Sequence, residues 1–213
     1  MMKKIVITIV LASSFLNTLA QKSWDLKTLE DINLTRNFDM DKPLDAIGNS
    51  AEYLAIGLPV GLLTAGYIKG DAALKREGFN AAVSTFTTYG VSFVLKKAVD
   101  RDRPFVEHPH IKNYREFTGG SFPSGSTSLA FSTATSLSLS YPKWYVIIPS
   151  ALYASTVGYS RLHLGAHYPS DVLAGAAIGM GTAFASRKLN QWIRNESKKR
   201  RFKKQSGVYE TEK

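Results

Sequence analysis

The sequence predicts an all-α fold: a membrane-spanning helical bundle of about five core helices, following a cleaved signal peptide. Three observations carry this. Apolar runs of helical length alternate with short polar breaks. The runs are seeded with Gly, Ala, Ser and Thr, which let helices approach closely in a membrane. Threaded as alternating crossings, the runs place the basic C-terminal stretch and the breaks holding Lys69, Lys75, Arg76 and Lys143 on one side.

The elements follow in order. Lys3 and Lys4 form a positive start, and Ile5 to Leu16 is an apolar stretch too short to span a bilayer. Thr18 and Ala20 are small residues before Gln21, so residues 1–20 read as a signal peptide, with a short membrane anchor as the alternative. Residues 21–43 form a polar extracytoplasmic segment with one helix-like stretch at Trp24 to Leu34. The bundle occupies 44–187, with runs at Leu44 to Ile68, Phe79 to Leu95, Thr127 to Leu139, Trp144 to Tyr159 and Val172 to Ala185. Residues 188–213 form a basic cytoplasmic tail.

Composition narrows the function. The chain has 213 residues, 27 Lys plus Arg against 17 Asp plus Glu, and a net charge of +10. From Arg187 onward there are ten basic and three acidic residues, so most of the charge sits in the tail. That fits an inner membrane face better than nucleic acid, because no nucleic-acid-binding motif accompanies it. Cysteine is absent, which excludes a disulfide scaffold, a thiol nucleophile and Cys-bound zinc. The same threading puts Lys96, Arg103 and Arg161 on the outer side, against the charge rule. Outer cations at helix ends need another reason, and a bound anion supplies one.

Three segments carry chemistry. Lys96 and Arg103-Pro104 offer a point charge and a guanidinium fork suited to phosphate oxygens. Pro123-Ser124-Gly125-Ser126 precedes an apolar run, where a glycine and helix-start amides can approach an anion. Ser160-Arg161 leads to His167 and Asp171, four residues apart across Pro169. A first helical turn there sets the carboxylate beside one imidazole nitrogen and leaves the other basic. The remaining histidines, His108, His110 and His163, show no metal-ligand spacing.

Together these segments resemble the signature of the type 2 phosphatidic-acid phosphatase superfamily, which also includes bacterial secreted acid phosphatases and vanadium haloperoxidases. Its pattern is Lys-x6-Arg-Pro, Pro-Ser-Gly-His and Ser-Arg-x5-His-x3-Asp. The resemblance covers roughly residues 44–187. It implies a phosphatase that needs no metal or other cofactor, acting on a phosphorylated lipid or a small phosphoester. It implies that Lys96, Arg103, Ser124, Gly125 and Arg161 hold the phosphoryl group, that His167 becomes a phosphohistidine, and that Asp171 orients it. The implied location is a bacterial inner membrane with the site facing the periplasm. A soluble periplasmic acid phosphatase and a catalytically dead phosphate- or phospholipid-binding membrane protein are the alternatives.

One departure matters. Ser126 stands where the pattern has its general-acid histidine. A serine hydroxyl is too weak an acid to replace imidazolium, and such acid help contributes ~10²–10⁴-fold. An engineered replacement, a natural low-activity protein, or rescue by another group would each account for it. His163 is the nearest candidate for rescue in sequence, and His108 and His110 share the outer loop with Arg103. Without an acid, activity should favour phosphate leaving groups, whose conjugate acid has a pKa of about 6.

Overall fold

The computed structural model describes residues 23–209, with side chains through Phe202; the expected signal peptide at 1–20 lies outside the described residues. Helix α1 covers 23–33, and a single 3-10 turn follows at Phe38–Met40. Then come α2 (Asp41–Ile68), α3 (Ala72–Val99), the short α4 (Pro104–Glu107), α5 (Gly125–Ser140), α6 (Trp144–His163) and α7 (Pro169–Tyr209). Every regular element among the described residues is helical. The five long helices α2, α3, α5, α6 and α7 are the expected core.

The boundaries have local causes. Asp71 caps α3 by accepting from the amides of Ala73 and Leu74 at 2.7 and 3.2 Å. Asp100 ends α3 in the left-handed conformation, φ 44°, which a short polar side chain tolerates. Pro169 opens α7, where its missing N–H is no loss.

Helix α5 lies at the centre and packs against α2, α3, α6 and α7. Its surroundings are small rather than bulky. Ala51, Ala130, Ala134, Ala154 and Val157 form the core between α2, α5 and α6. Between α3, α5 and α7 the contact is a set of hydroxyls: Ser84 to Ser132 at 2.7 Å, Thr88 to Ser132 at 2.9 Å and Thr88 to Thr182 at 2.6 Å. Large apolar side chains face outward instead, as with Ile68 at 80% and Phe86 at 76% exposure. This distribution suits a bundle whose surroundings are lipid, where close backbone packing and interhelical hydrogen bonds replace a bulky core. The stretch Phe38–Ile68 is long and apolar enough to cross a membrane. At 16 residues, α5 is short for a crossing.

Two parts extend the bundle. The described residues of the 21–43 segment pack onto it. Leu29 packs with Ile111 and Tyr168, and the buried Asn33 donates to the carbonyls of Lys112 and His163, each at 2.9 Å. Its polar side chains find partners in the loops that follow α4 and α6. The basic C-terminal stretch continues α7, which runs as one helix of 41 residues.

The bundle has two distinct ends. At one, the loops 100–124 and 164–168 meet. At the other lie the turns 69–71 and 141–143 and the basic extension of α7. Glu77 locks this second end, accepting from Ser140 Oγ at 2.8 Å and Arg187 Nη1 at 3.1 Å.

Helices α5 and α7 approach closely because Gly175 and Gly179 face α5. A Cβ at 175 would lie 2.7 Å from the Ser124 carbonyl, and one at 179 would overlap that of Ser128. Gly179→Val is therefore expected to lower stability by about 1–3 kcal/mol through overpacking. Thermal unfolding in detergent measures this, and an unchanged midpoint would contradict the packing described.

Candidate active site

A cavity of about 380 Å³ opens at the first end. Lys96, Arg103, Gly125, Ser126, Arg161 and His167 all line it, so residues from three separate sequence segments share one space. Arg115, Glu52 and Glu116 line it as well. Ser124 does not. It is fully buried beside the cavity, with its Oγ 2.8 Å from Thr127 Oγ1 and its amide donating to the Asp171 carbonyl at 3.1 Å.

The cations are placed by backbone. Tyr89, Ser92, Phe93 and Lys96 recur at helical spacing, which puts them on one face of α3. Lys96 Nζ donates to the Gly120 carbonyl at 2.6 Å. Arg103 is held by three carbonyls: Gly119 at 3.0 Å, Thr118 at 2.9 Å and Ala166 at 2.9 Å. Burial lowers its pKa to about 10, against the pull of Asp171, so it remains charged at neutral pH.

Arg161 is the most informative. It is 3% exposed, its Nε donates to Ser160 Oγ at 3.1 Å, and its buried Nη2 has no hydrogen-bond partner. A buried guanidinium nitrogen without an acceptor is costly, and an anion in the cavity would satisfy it. Gly48 on α2 makes the room, since a Cβ there would overlap the guanidinium.

His167 sits in the loop before α7 and is 5% exposed. Its Nε2 faces Arg103 Nη1 at 3.4 Å. Its Nδ1 lies 3.5 Å from Ser121 Oγ and 3.7 Å from Asp171 Oδ2. Ser121 Oγ in turn donates to that same Asp171 oxygen at 2.5 Å. An arginine can only donate, so the network assigns the proton to Nδ1 and makes Nε2 the acceptor that faces Arg103 at the cavity wall. Burial lowers the His167 pKa to about 4, with Asp171 opposing and Arg103 adding to the shift. The imidazole is therefore neutral at neutral pH.

Asp171 is fully buried in the first turn of α7. Its Oδ2 also accepts from the Tyr168 amide at 2.9 Å, and its Oδ1 accepts from Arg101 Nη1 at 2.8 Å. Sequence reasoning missed Arg101, Ser121 and Gly48. One signal was available for the first two: a buried carboxylate has more lone pairs than one imidazole can satisfy.

The histidines offered as replacement acids lie elsewhere. His163 is two residues beyond Arg161 and so faces a different side of α6; its Nε2 is 3.0 Å from Asp41 Oδ1. His110 pairs with Glu30 at 2.7 Å, and His108 packs edge-on against Tyr168. None of the three lines the cavity. Among the described residues, no group of three His, Asp or Glu is arranged to hold a metal.

The arrangement makes a cationic anion site beside a neutral, oriented imidazole. Gly48→Ala, by displacing Arg161, is expected to weaken binding of inorganic phosphate or vanadate about tenfold or more, the scale of a charged hydrogen bond. Calorimetric titration against the unaltered protein checks this.

Comparisons with known proteins bear on the family and the fold. The PAP2 superfamily pattern matches residues 77–195. The chain is 38% identical over 105 residues to lipid A 4'-phosphatase of Bacteroides thetaiotaomicron, covering 46% of this chain and 47% of that protein. It is 39% identical over 113 residues to undecaprenyl-diphosphatase of Sulfolobus acidocaldarius, covering 53% and 54%. The matched stretch thus spans about half the length of each relative. The crystal structure of Aquifex aeolicus LpxE superposes with a TM-score of 0.65 at 28% identity, covering 78% of this chain and 95% of that one. The fold, the gathered cations and a match across more than half of the sequence lead to one assignment: the chain belongs to the PAP2 superfamily.

Proposed function

We propose that this chain is a metal-independent phosphatase for a lipid phosphate or diphosphate. It works through a phosphohistidine on His167, at the periplasmic face of a bacterial inner membrane. The single observation that carries the reading is the unpartnered Nη2 of buried Arg161, in a cationic cavity beside a neutral His167. The relatives that act on lipid A and undecaprenyl diphosphate support a lipid substrate. The outward-facing apolar side chains support a membrane location over a soluble one.

The chemistry follows from the geometry. Lys96, Arg103 and Arg161 neutralise the phosphoryl oxygens, and the start of α5 at Gly125 and Ser126 adds amides at its positive end. The Nε2 lone pair attacks phosphorus as the bond to the leaving oxygen breaks. Nδ1 keeps its proton, and Ser121 and Asp171 stabilise the resulting cationic ring. Water then attacks the phosphohistidine, releasing phosphate and restoring the neutral imidazole. The leaving oxygen meets no histidine, because Ser126 occupies that position and the other three histidines lie outside the cavity.

The function therefore depends on the leaving group. Turnover of diphosphates and aryl phosphates should exceed that of alkyl monophosphates, and Ser126→His should raise turnover of the alkyl substrates about 10²–10⁴-fold. Phosphate release from a substrate panel, run beside His167→Ala, checks both. Equal relative turnover of a simple alkyl phosphate would count against the leaving-group reading. Binding of phosphate with no turnover of any substrate would favour a phosphate-binding protein without catalysis.

The pH profile offers a separate check. Attack needs neutral imidazole, and burial lowers the His167 pKa from 6.5 to about 4. Activity should thus persist as pH falls through 6.5 and disappear only toward about pH 4. The acid limb of kcat/KM, which reports the free enzyme, measures this.

A further inference from the structure

We propose that Asp25, on α1, is a positioning residue for the nucleophile. It holds Arg101 and the first turn of α7 so that Arg101 engages only Oδ1 of Asp171, leaving Oδ2 to Ser121, the Tyr168 amide and the side that faces His167. The proposal rests on the phosphohistidine reading above and goes beyond it, because α1 lies outside the stretch 77–195 that matches the superfamily pattern.

The contacts form a closed set. Asp25 is 1% exposed. Its Oδ1 accepts from the Ser170 amide at 2.8 Å. Its Oδ2 accepts from Ser170 Oγ and from Arg101 Nη2 at 3.1 Å. The other nitrogen of Arg101, Nη1, donates to Asp171 Oδ1 and to Ser170 Oγ, each at 2.8 Å. The guanidinium carbon lies over the Tyr168 ring, 3.8 Å from its centroid. One guanidinium is thus divided between two buried carboxylates.

The division has a chemical purpose. Arginine prefers to engage a single carboxylate with both nitrogens. If it did so with Asp171, it would compete for Oδ2, the oxygen that receives Ser121 and faces His167. Asp25 occupies the second nitrogen and prevents this. It also satisfies the Ser170 amide, one of the four N–H groups that the start of α7 leaves without helical partners. A carboxylate from α1 therefore caps α7 and tunes its first turn.

The test compares two variants of the full chain in detergent. Asp25→Ala removes the tie to Arg101. Asn33→Ala loosens α1 at its other end without touching Arg101. Asp25→Ala is expected to lower kcat about tenfold or more with KM within about twofold, while Asn33→Ala, at a similar loss in melting temperature, keeps kcat near that of the unaltered protein. Equal kcat losses in the two variants, or a change in KM alone, would overturn the proposal. A second readout does not need activity. In protein labelled with 15N-histidine, the His167 signal, assigned with His167→Gln, should lose its Nδ1–H tautomer population in Asp25→Ala. If the unaltered protein hydrolyses nothing, a changed His167 signal supports the positioning role while the phosphatase reading fails; an unchanged signal overturns the role.

Discussion

Asp171 is a carboxylate with no water in reach, so protein must satisfy each of its oxygens. The parts of the molecule that meet at the site can be traced outward from that requirement. The loop after α3 supplies Arg101, the loop before α5 supplies Ser121, and the turn into α7 supplies the Tyr168 amide. Helix α1 reaches the same group at one remove through Asp25. His167 is oriented because the acceptor it faces cannot move without breaking several of these bonds. The same carboxylate backbone gives structure to the neighbouring loop, since its carbonyl receives the Ser124 amide at the start of α5. His167 and the start of α5 beside the cationic cavity are thus fixed to each other by one residue.

The second constraint is charge. Lys96, Arg103, Arg115 and Arg161 surround a single cavity. Like charges at close quarters repel, and burial removes the water that would screen them. The structure manages this by giving Arg103 three carbonyl acceptors and Arg115 the side chains of Asp45 and Asn49, at 3.1 and 3.0 Å. Of these four cations, Arg161 is the one that keeps an unsatisfied buried nitrogen. The repulsion left over is the affinity for an anion.

Much of this was legible in the sequence, for reasons that are physical. Short-range spacing fixes helix ends, so Lys96, Arg103, Arg161 and His167 could be assigned to one side of the bundle before any contact was known. The five long helices follow from the apolar runs in the same way. What stayed hidden depends on pairs remote in the chain. Asp25 and Ser170 are 145 residues apart, and Asp25 and Arg101 are 76 apart. Nothing local marks Asp25 as a partner. Gly48 is hidden for a similar reason: its role is the absence of a side chain opposite Arg161. His163 misled because nearness in sequence is not nearness on a helix surface, where two residues on is the other side. The mean hydropathy of -0.11 also concealed the membrane character. It averages the outward apolar girdle with a hydroxyl-rich interior and a basic extension.

Helix α7 has a consequence of its own. It begins at the turn that carries Asp171 and runs unbroken for 41 residues into the basic stretch. At 1.5 Å per residue that is a rod of about 60 Å, roughly twice the thickness of a bilayer core. In a membrane, its charged end is restrained to the water beyond the far leaflet, so the rod acts as a depth gauge for the near end. Its middle is tied to α3 at Thr182 and Arg187, so the rod cannot slide past the bundle, and the turn at Asp171 and the basic end keep a fixed separation.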